Sequence, residues 1–210
     1  MSQPGRSQRR TVAQEHRRAT ERRILDATEG LLRERAFSDL TIEDVMASTG
    51  LTRTAFYRYF PDLESLLERL LGEVIAEIRY ADWVTAPDDA DFRALLIERA
   101  RELNELYERR GHVIRAVSDT AAASPDVRGM WMAILGSFSD RMGARVRELN
   151  KRNISRVAHP EATGWALTLL AVHYLNEVHR GGSPMPTEGV PEVLGEIFYR
   201  AIFTDPQQPL

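Results

Sequence analysis

Apolar residues recur along most of this 210-residue chain at spacings of three and four, the period of an α-helix, and no stretch alternates as a half-buried strand would. From residue 19, one face carries Ile24, Ala27, Thr28, Leu31 and Leu32, which predicts a helix to about Arg35. Phe37 and Leu40 then plug the underside of the next element. Thr41 ahead of Ile42, Glu43 and Asp44 reads as an N-cap with acids in the first turn, where they face the positive end of the helix dipole. The short helix predicted over 42–48 turns Ile42, Val45 and Met46 inward, and Gly50 supplies the left-handed backbone of a sharp turn. Leu51 anchors that turn, Thr52 reads as the N-cap of a second short helix over 53–59, and Pro61 stops it. Two helices of about two turns, joined by a three-residue link, have the layout of a helix-turn-helix.

The same period predicts further helices over 63–81, 92–110, 112–123, 125–151, 160–180 and 190–203, nine in all, with a loop over 85–91. Arg109, Arg110 and Gly111 read as C-terminal cations and a stop glycine. Ser124, Pro125 and Asp126 read as an N-cap, a first-turn proline and an acid. Gly181 and Gly182 end one late helix and Pro191 opens the last. The fold class is all-α. Residues 1–17 hold too few apolar side chains to offset ordering entropy, so they are expected to form a disordered basic arm. The expected organisation is that arm, a helix-turn-helix domain over 18–62 and a larger helical domain over 63–210.

Composition narrows the function. The chain has no cysteine, which excludes a disulfide framework, thiolate metal sites and thiol chemistry. Its longest uncharged run, 162–176, is 15 residues and includes a histidine, short of the ~20 apolar residues of a membrane span. Arg-rich polar sequence occupies the start, where a secretory signal needs an apolar core, so a cytoplasmic location is expected. The net charge of −3 conceals an asymmetry: residues 1–60 hold 11 Arg and 8 acids, and the acidic excess lies beyond them. A basic end on an acidic body points towards nucleic acid. Nucleophile-elbow, Walker-loop, dinucleotide-glycine and zinc-protease motifs are all missing, so no enzyme and no cofactor are expected. The histidines stand apart at 16, 112, 159, 173 and 179; His173 and Glu177 are i, i+4, but two ligands are not a metal site.

Residues 41–67 read TIEDVMASTGLTRTAFYRYFPDLESLL. This resembles the DNA-binding signature of TetR-type transcriptional regulators, with Gly50, Leu51, Thr52, Phe56, Tyr57, Tyr59 and Phe60 at the family's positions. The likeness is close over 24–67. It implies a repressor that binds a palindromic operator as a homodimer and is released by a small molecule; the alternative is a DNA-binding regulator with no small-molecule effector. On the 53–59 helix, Ala55, Phe56 and Phe60 can seat the helix on its neighbours, leaving Arg53, Thr54, Tyr57, Arg58 and Tyr59 outward. Arg53 suits a guanine edge in the major groove, while Thr41, Thr52, Tyr57, Arg58 and Tyr59 suit phosphates, supplemented by Arg17 and Arg18 of the arm. Two such helices in a dimer are expected about 34–36 Å apart, in successive major grooves. One departure stands out: the family's usual phosphate-binding Lys at the start of the fourth helix is Leu63 here, beside Asp62 and Glu64.

The resemblance places effector binding and dimerisation in residues 63–210. Residues 162–176 are apolar around nearly the whole circumference, as expected of a helix covered by its own domain on one side and a partner on the other. Leu170, Tyr174, Leu194, Ile197, Phe198 and Ala201 are the expected dimer contacts. Trp83, Met130 and the set Phe92, Asn104, Tyr107, Trp131, Leu135, Phe138, Met142, Trp165, Leu169 and His173 are candidates for a pocket that takes an apolar or aromatic effector. From Pro125 through Trp131 to the last helix the chain is similar to the subgroup that includes the ethionamide-resistance repressor. Thr168 and Ala171 stand where that subgroup tends to carry amides.

Overall fold

The computed structural model describes the backbone of residues 6–78, 86–87 and 89–203, with side chains from residue 13 onward. Trp83 and the predicted helical residues 79–81 lie outside the described residues. Those described form eight α-helices, one 3-10 turn (Phe37–Asp39) and no strand. In chain order the helices are α1 (Arg6–Leu32), α2 (Ile42–Thr49), α3 (Arg53–Phe56), α4 (Leu63–Glu77), α5 (Phe92–Thr120), α6 (Pro125–Lys151), α7 (Pro160–Val178) and α8 (Val190–Ile202). The chain divides into two compact units, Met1–Glu73 and Val74–Leu210, so the division falls inside α4 rather than at its start.

The first unit is built on fully buried apolar side chains from four helices: Ile24 and Leu25 of α1, Met46 of α2, Phe56 of α3, and Leu66, Leu67, Leu70 and Leu71 of α4. Charges brace its outside. Arg22 pairs with both Asp26 and Glu73, and Arg69 with Glu21 and Glu73, tying α1 to α4. The sequence pattern predicts disorder over 1–17, whereas α1 begins at Arg6. Arg, Gln, Glu and Ala are good helix formers, so a helix anchored by Ile24 and Leu25 extends through residues 13–19, all of which are exposed.

The second unit contains four long helices packed chiefly in pairs, α5 with α8 and α6 with α7. Glycines let both pairs close. A Cβ on Gly195 of α8 would lie 2.5 Å from the Ile97 Cα of α5, and one on Gly164 of α7 would lie 2.5 Å from the Ser139 carbonyl of α6. The stop predicted at Gly111 does not occur, and residues 92–120 form one helix. Gly111 serves instead as a close-approach site, where a Cβ would touch Tyr107 at 3.4 Å and lie 3.9 Å from His179. The predicted Ser124–Pro125 start of α6 is present, with the Ser124 hydroxyl accepting from the Val127 amide. At one end of the unit, the Arg145 guanidinium lies 5.7 Å from the Phe92 ring centre and donates to the Ala86 carbonyl at 2.7 Å. Phe92 stacks on Phe203 at 4.7 Å, and Phe203 on Tyr199 at 5.3 Å.

Candidate nucleic-acid interface

The reading head starts from a complete capping box. The Asp44 amide donates to Thr41 Oγ1 at 3.2 Å, while the Thr41 amide and hydroxyl donate to Asp44 Oδ2 at 2.9 and 2.7 Å. These bonds, with Arg35 nearby, hold the Asp44 carboxyl below the usual carboxylate range. Thr41 thereby spends its hydroxyl on α2, although it remains exposed. Gly50 closes α2 in the left-handed conformation, φ 66°, as the sequence predicts.

After the turn, regular α-helix lasts only four residues. From Arg58 to Tyr59 the backbone continues by i→i+3 bonds, Arg58 to Ala55 at 3.3 Å and Tyr59 to Phe56 at 2.9 Å, and Phe60 bonds back to Phe56 at 3.1 Å. The predicted 53–59 helix is thus one α turn that tightens towards Pro61. Thr52 has N-cap geometry, but its hydroxyl makes no capping bond. The seating is as predicted: Phe56 is fully buried, with Tyr57 edge-on at 5.6 Å and Phe60 at 5.7 Å.

Thr52, Arg53, Thr54, Tyr57 and Arg58 are exposed, whereas Tyr59 is half-buried. Tyr57 is 49% exposed. Arg53 does not wave freely. It pairs with Glu43 of α2, donates from Nη2 to the Tyr57 hydroxyl at 3.3 Å and lies 6.0 Å from that ring's centre. The Tyr57 bond and then the Glu43 charge raise its already high pKa, so the guanidinium is always charged. By sequence Glu43 is only a first-turn acid; its spacing of ten residues from Arg53 becomes meaningful once the two helices fold together. Arg17 and Arg18 are exposed on α1. Arg22 and Arg23, by contrast, are committed to Asp26, Glu73 and the Thr49 carbonyl. Leu63 is half-buried, and the Asp62 carboxylate beside it caps α4 through the Ser65 amide at 2.7 Å.

In the second unit the predicted pocket residues separate. Phe92, Tyr107, Trp131 and Leu135 are buried, but Phe92 belongs to the Arg145 end of the unit. Asn104, Phe138, Met142 and Trp165 are half-buried, with the Trp165 ring over Gly136. Leu169 and His173 are exposed, because the inward face of α7 is Gly164, Leu167, Thr168, Ala171 and Leu175. They share the outer face with Leu170. Leu194, expected at a dimer contact, is 2% exposed and is core of its own unit, since α8 turns it inward beside Gly195. Ile197 is exposed, Tyr174, Phe198 and Ala201 are half-buried, and Val193, which sequence reasoning missed, is 50% exposed.

Two buried polar groups were also missed. Thr168 Oγ1 and Asn176 Oδ1 have no hydrogen-bond partner among the described residues. One turn beyond Asn176, the His179 ring meets Asn104 Oδ1 at 2.9 Å and lies 6.3 Å from the Tyr107 ring. Burial lowers the His179 pKa and pushes the Tyr107 phenol well above its ordinary value. Among the described residues no group of three or more acids and histidines is placed to hold a metal, and no helix is long and apolar enough to cross a membrane.

Comparison with known proteins agrees with this geometry. Residues 24–70 match the model of the bacterial regulatory proteins of the tetR family. The chain is 28% identical over 187 residues to the HTH-type transcriptional regulator EthR of Mycobacterium tuberculosis (strain ATCC 25618 / H37Rv), covering 86% of this chain and 85% of that protein. Among solved structures it resembles the SmeT–triclosan complex, with TM-score 0.70 and 22% identity over 91% of this chain and 99% of that one. It also resembles NalD, the secondary repressor of the MexAB-OprM multidrug efflux pump in Pseudomonas aeruginosa, with TM-score 0.69 and 19% identity over 90% and 99% of the two chains.

Proposed function

We propose that the chain is a TetR-type DNA-binding transcriptional regulator that represses as a homodimer on a palindromic operator and is released by an apolar or aromatic small molecule. The observation that carries the operator reading is the two-sided turn after Gly50. Phe56 and Phe60 seal one side, and Arg53, Thr54, Tyr57 and Arg58 stand exposed on the other. Arg53 reads a base edge, and Thr52, Thr54, Tyr57 and Arg58 bind phosphates and fix the register. Tyr59 contributes from a half-buried position, and the Thr41 hydroxyl acts mainly through its cap. Arg17 and Arg18 add salt-dependent backbone attraction.

Two further observations support the rest. Leu169 and Leu170 on α7, with Val193 and Ile197 on α8, leave large apolar side chains in water on two helices that contact one another. A second copy covering them removes that exposure, and a two-fold axis then makes the operator palindromic. Tyr107, Trp131 and Leu135 are buried in the second unit, where Thr168 and Asn176 also keep unpartnered polar atoms, and that mix of apolar and a few polar side chains is the composition a small-molecule site uses. The effector acts by favouring one arrangement of the protein over another, and its release of DNA is set by its differential affinity for the two.

The test is selection of random DNA by the purified full chain, with sedimentation and thermal-shift measurements alongside. The expected results are an inverted repeat with half-site centres about 10 base pairs apart or a multiple of that, and a dimer mass. Aromatic compounds are the first thermal-shift probes, triclosan among them given the SmeT complex. Tyr57→Ala is expected to abolish the footprint while leaving the dimer. Retained protection by that variant would refute the recognition assignment.

A further inference from the structure

We propose that Glu43 is a specificity-determining positioning residue: with Tyr57 it holds the Arg53 guanidinium in the orientation that reads a guanine, and so sets the base pair accepted at one position of each half-site. This rests on the operator reading above and names the part of it that selects sequence.

A carboxylate on a face turned towards phosphates is unfavourable, since the negative potential of DNA repels it. Two acids stand in the first turn of α2, and only one is needed there. Asp44 is consumed by the capping box and by Arg35. Glu43 accepts no cap bond; it reaches across to Arg53 on the next helix, and both side chains stay more than half exposed, at 57% and 58%. An ion pair so exposed contributes little to stability. What it does contribute is orientation. Arginine is long and loses considerable rotamer freedom when it binds, so fixing it before DNA arrives lowers that loss.

The geometry leaves the guanidinium free to read. Its Nη1 is engaged by Glu43 and its Nη2 by the Tyr57 hydroxyl at 3.3 Å. A guanidinium has five N–H donors, so three remain for a base edge. A bidentate contact to guanine O6 and N7 needs two of them in one plane, and anchoring two nitrogens from different helices fixes that plane. Glu43 also opposes wrong sequences, because wherever Arg53 finds no acceptor the carboxylate's repulsion by the backbone is left without compensation.

The test compares wild-type full chain with Glu43→Gln and Glu43→Ala by selection from random DNA, then by titration of operators changed at each base pair. Affinity for mixed-sequence genomic DNA and thermal melting are measured in parallel. The expected result is localised. Discrimination at one G·C pair per half-site falls from about tenfold or more to under threefold in both variants. Affinity for mixed DNA stays equal or rises, melting is unchanged, and Arg53→Lys relaxes the same base pair without adding to the effect of Glu43→Gln. Preferences that match wild type at every position would overturn the proposal, and so would a uniform loss on all DNA accompanied by lower melting. Relaxation at a different base pair from the Arg53→Lys variant would show Glu43 reading a base itself, which also overturns it. Should the wild type select no sequence, the operator reading fails first, a result distinct from all of these.

Discussion

In the first unit, Thr20, Thr28 and Thr49 are buried and each returns its hydroxyl to a carbonyl three or four residues back, at 2.8 to 3.0 Å. In the second unit, Thr168 and Asn176 are equally buried on α7, yet each keeps a polar atom with no partner among the described residues, as does Arg145 at Nε. A buried polar atom without a partner costs roughly 1–3 kcal/mol. Among its described residues the first unit is therefore satisfied as it stands, which would suit the proposed reading surface of Arg53 and Tyr57. The larger unit holds polar groups whose needs are unmet, which suits a unit that is completed by something else. Stability in the first lies in apolar packing and caps; part of the second has been left less stable than its fold allows.

The largest expected effect tests the first half of that contrast. Phe56→Ala empties a fully buried site and should cost about 3–5 kcal/mol, read as loss of the head's melting transition and of DNA binding. Gly195→Ala attacks the second unit where it is well packed: the new methyl meets the Ile97 backbone, and chemical denaturation should show a loss of roughly 2–3 kcal/mol. Asn176→Leu goes the other way, with an expected gain of about 1–2 kcal/mol from removing an unpartnered carboxamide and a weakened thermal-shift response to any ligand that uses it. A loss of stability in that variant would show that Asn176 is already satisfied. Thr41→Ala removes one arm of the capping box and should cost about 1 kcal/mol, confined to the head.

The smallest effect is a pH dependence. His179 is half-buried, with Asn104, Tyr107, Glu108 and Arg115 around it, and burial lowers its pKa below the ordinary 6.5. The unfolded chain then takes up the proton first, so stability is present above about pH 6.5 and is lost as pH falls through the lower native value. His179→Gln should flatten that acid limb in melts between pH 7 and 5.

Local chemistry was legible in the sequence and packing partners were not. Thr41, Asp44 and Gly50 act on neighbours within four residues, so their roles follow from the order of residues alone. Gly111 has the sequence of a stop but lies inside α5, because the His179 approach that makes a small residue useful comes from a distant helix. Leu169 and Leu194 are both leucines at helical spacing. Which one faces water depends on where the neighbouring helices lie, and periodicity cannot tell a core face from a face awaiting a partner. Glu43 shows the same limit at the candidate site: its ion pair joins two helices, α2 and α3, each with a fully buried apolar residue, Met46 and Phe56.

Trp131 is buried on α6 and Trp165 lies over Gly136, and the chain's third tryptophan, Trp83, also falls beyond Glu73, leaving the reading head with none. The protein thus carries its own optical partition. Tryptophan emission originates wholly in the larger unit, so the proposed ligand, if it enters there, would be seen directly. Any change in that emission when operator DNA is added reports a signal that has travelled along the chain, without a label on either part.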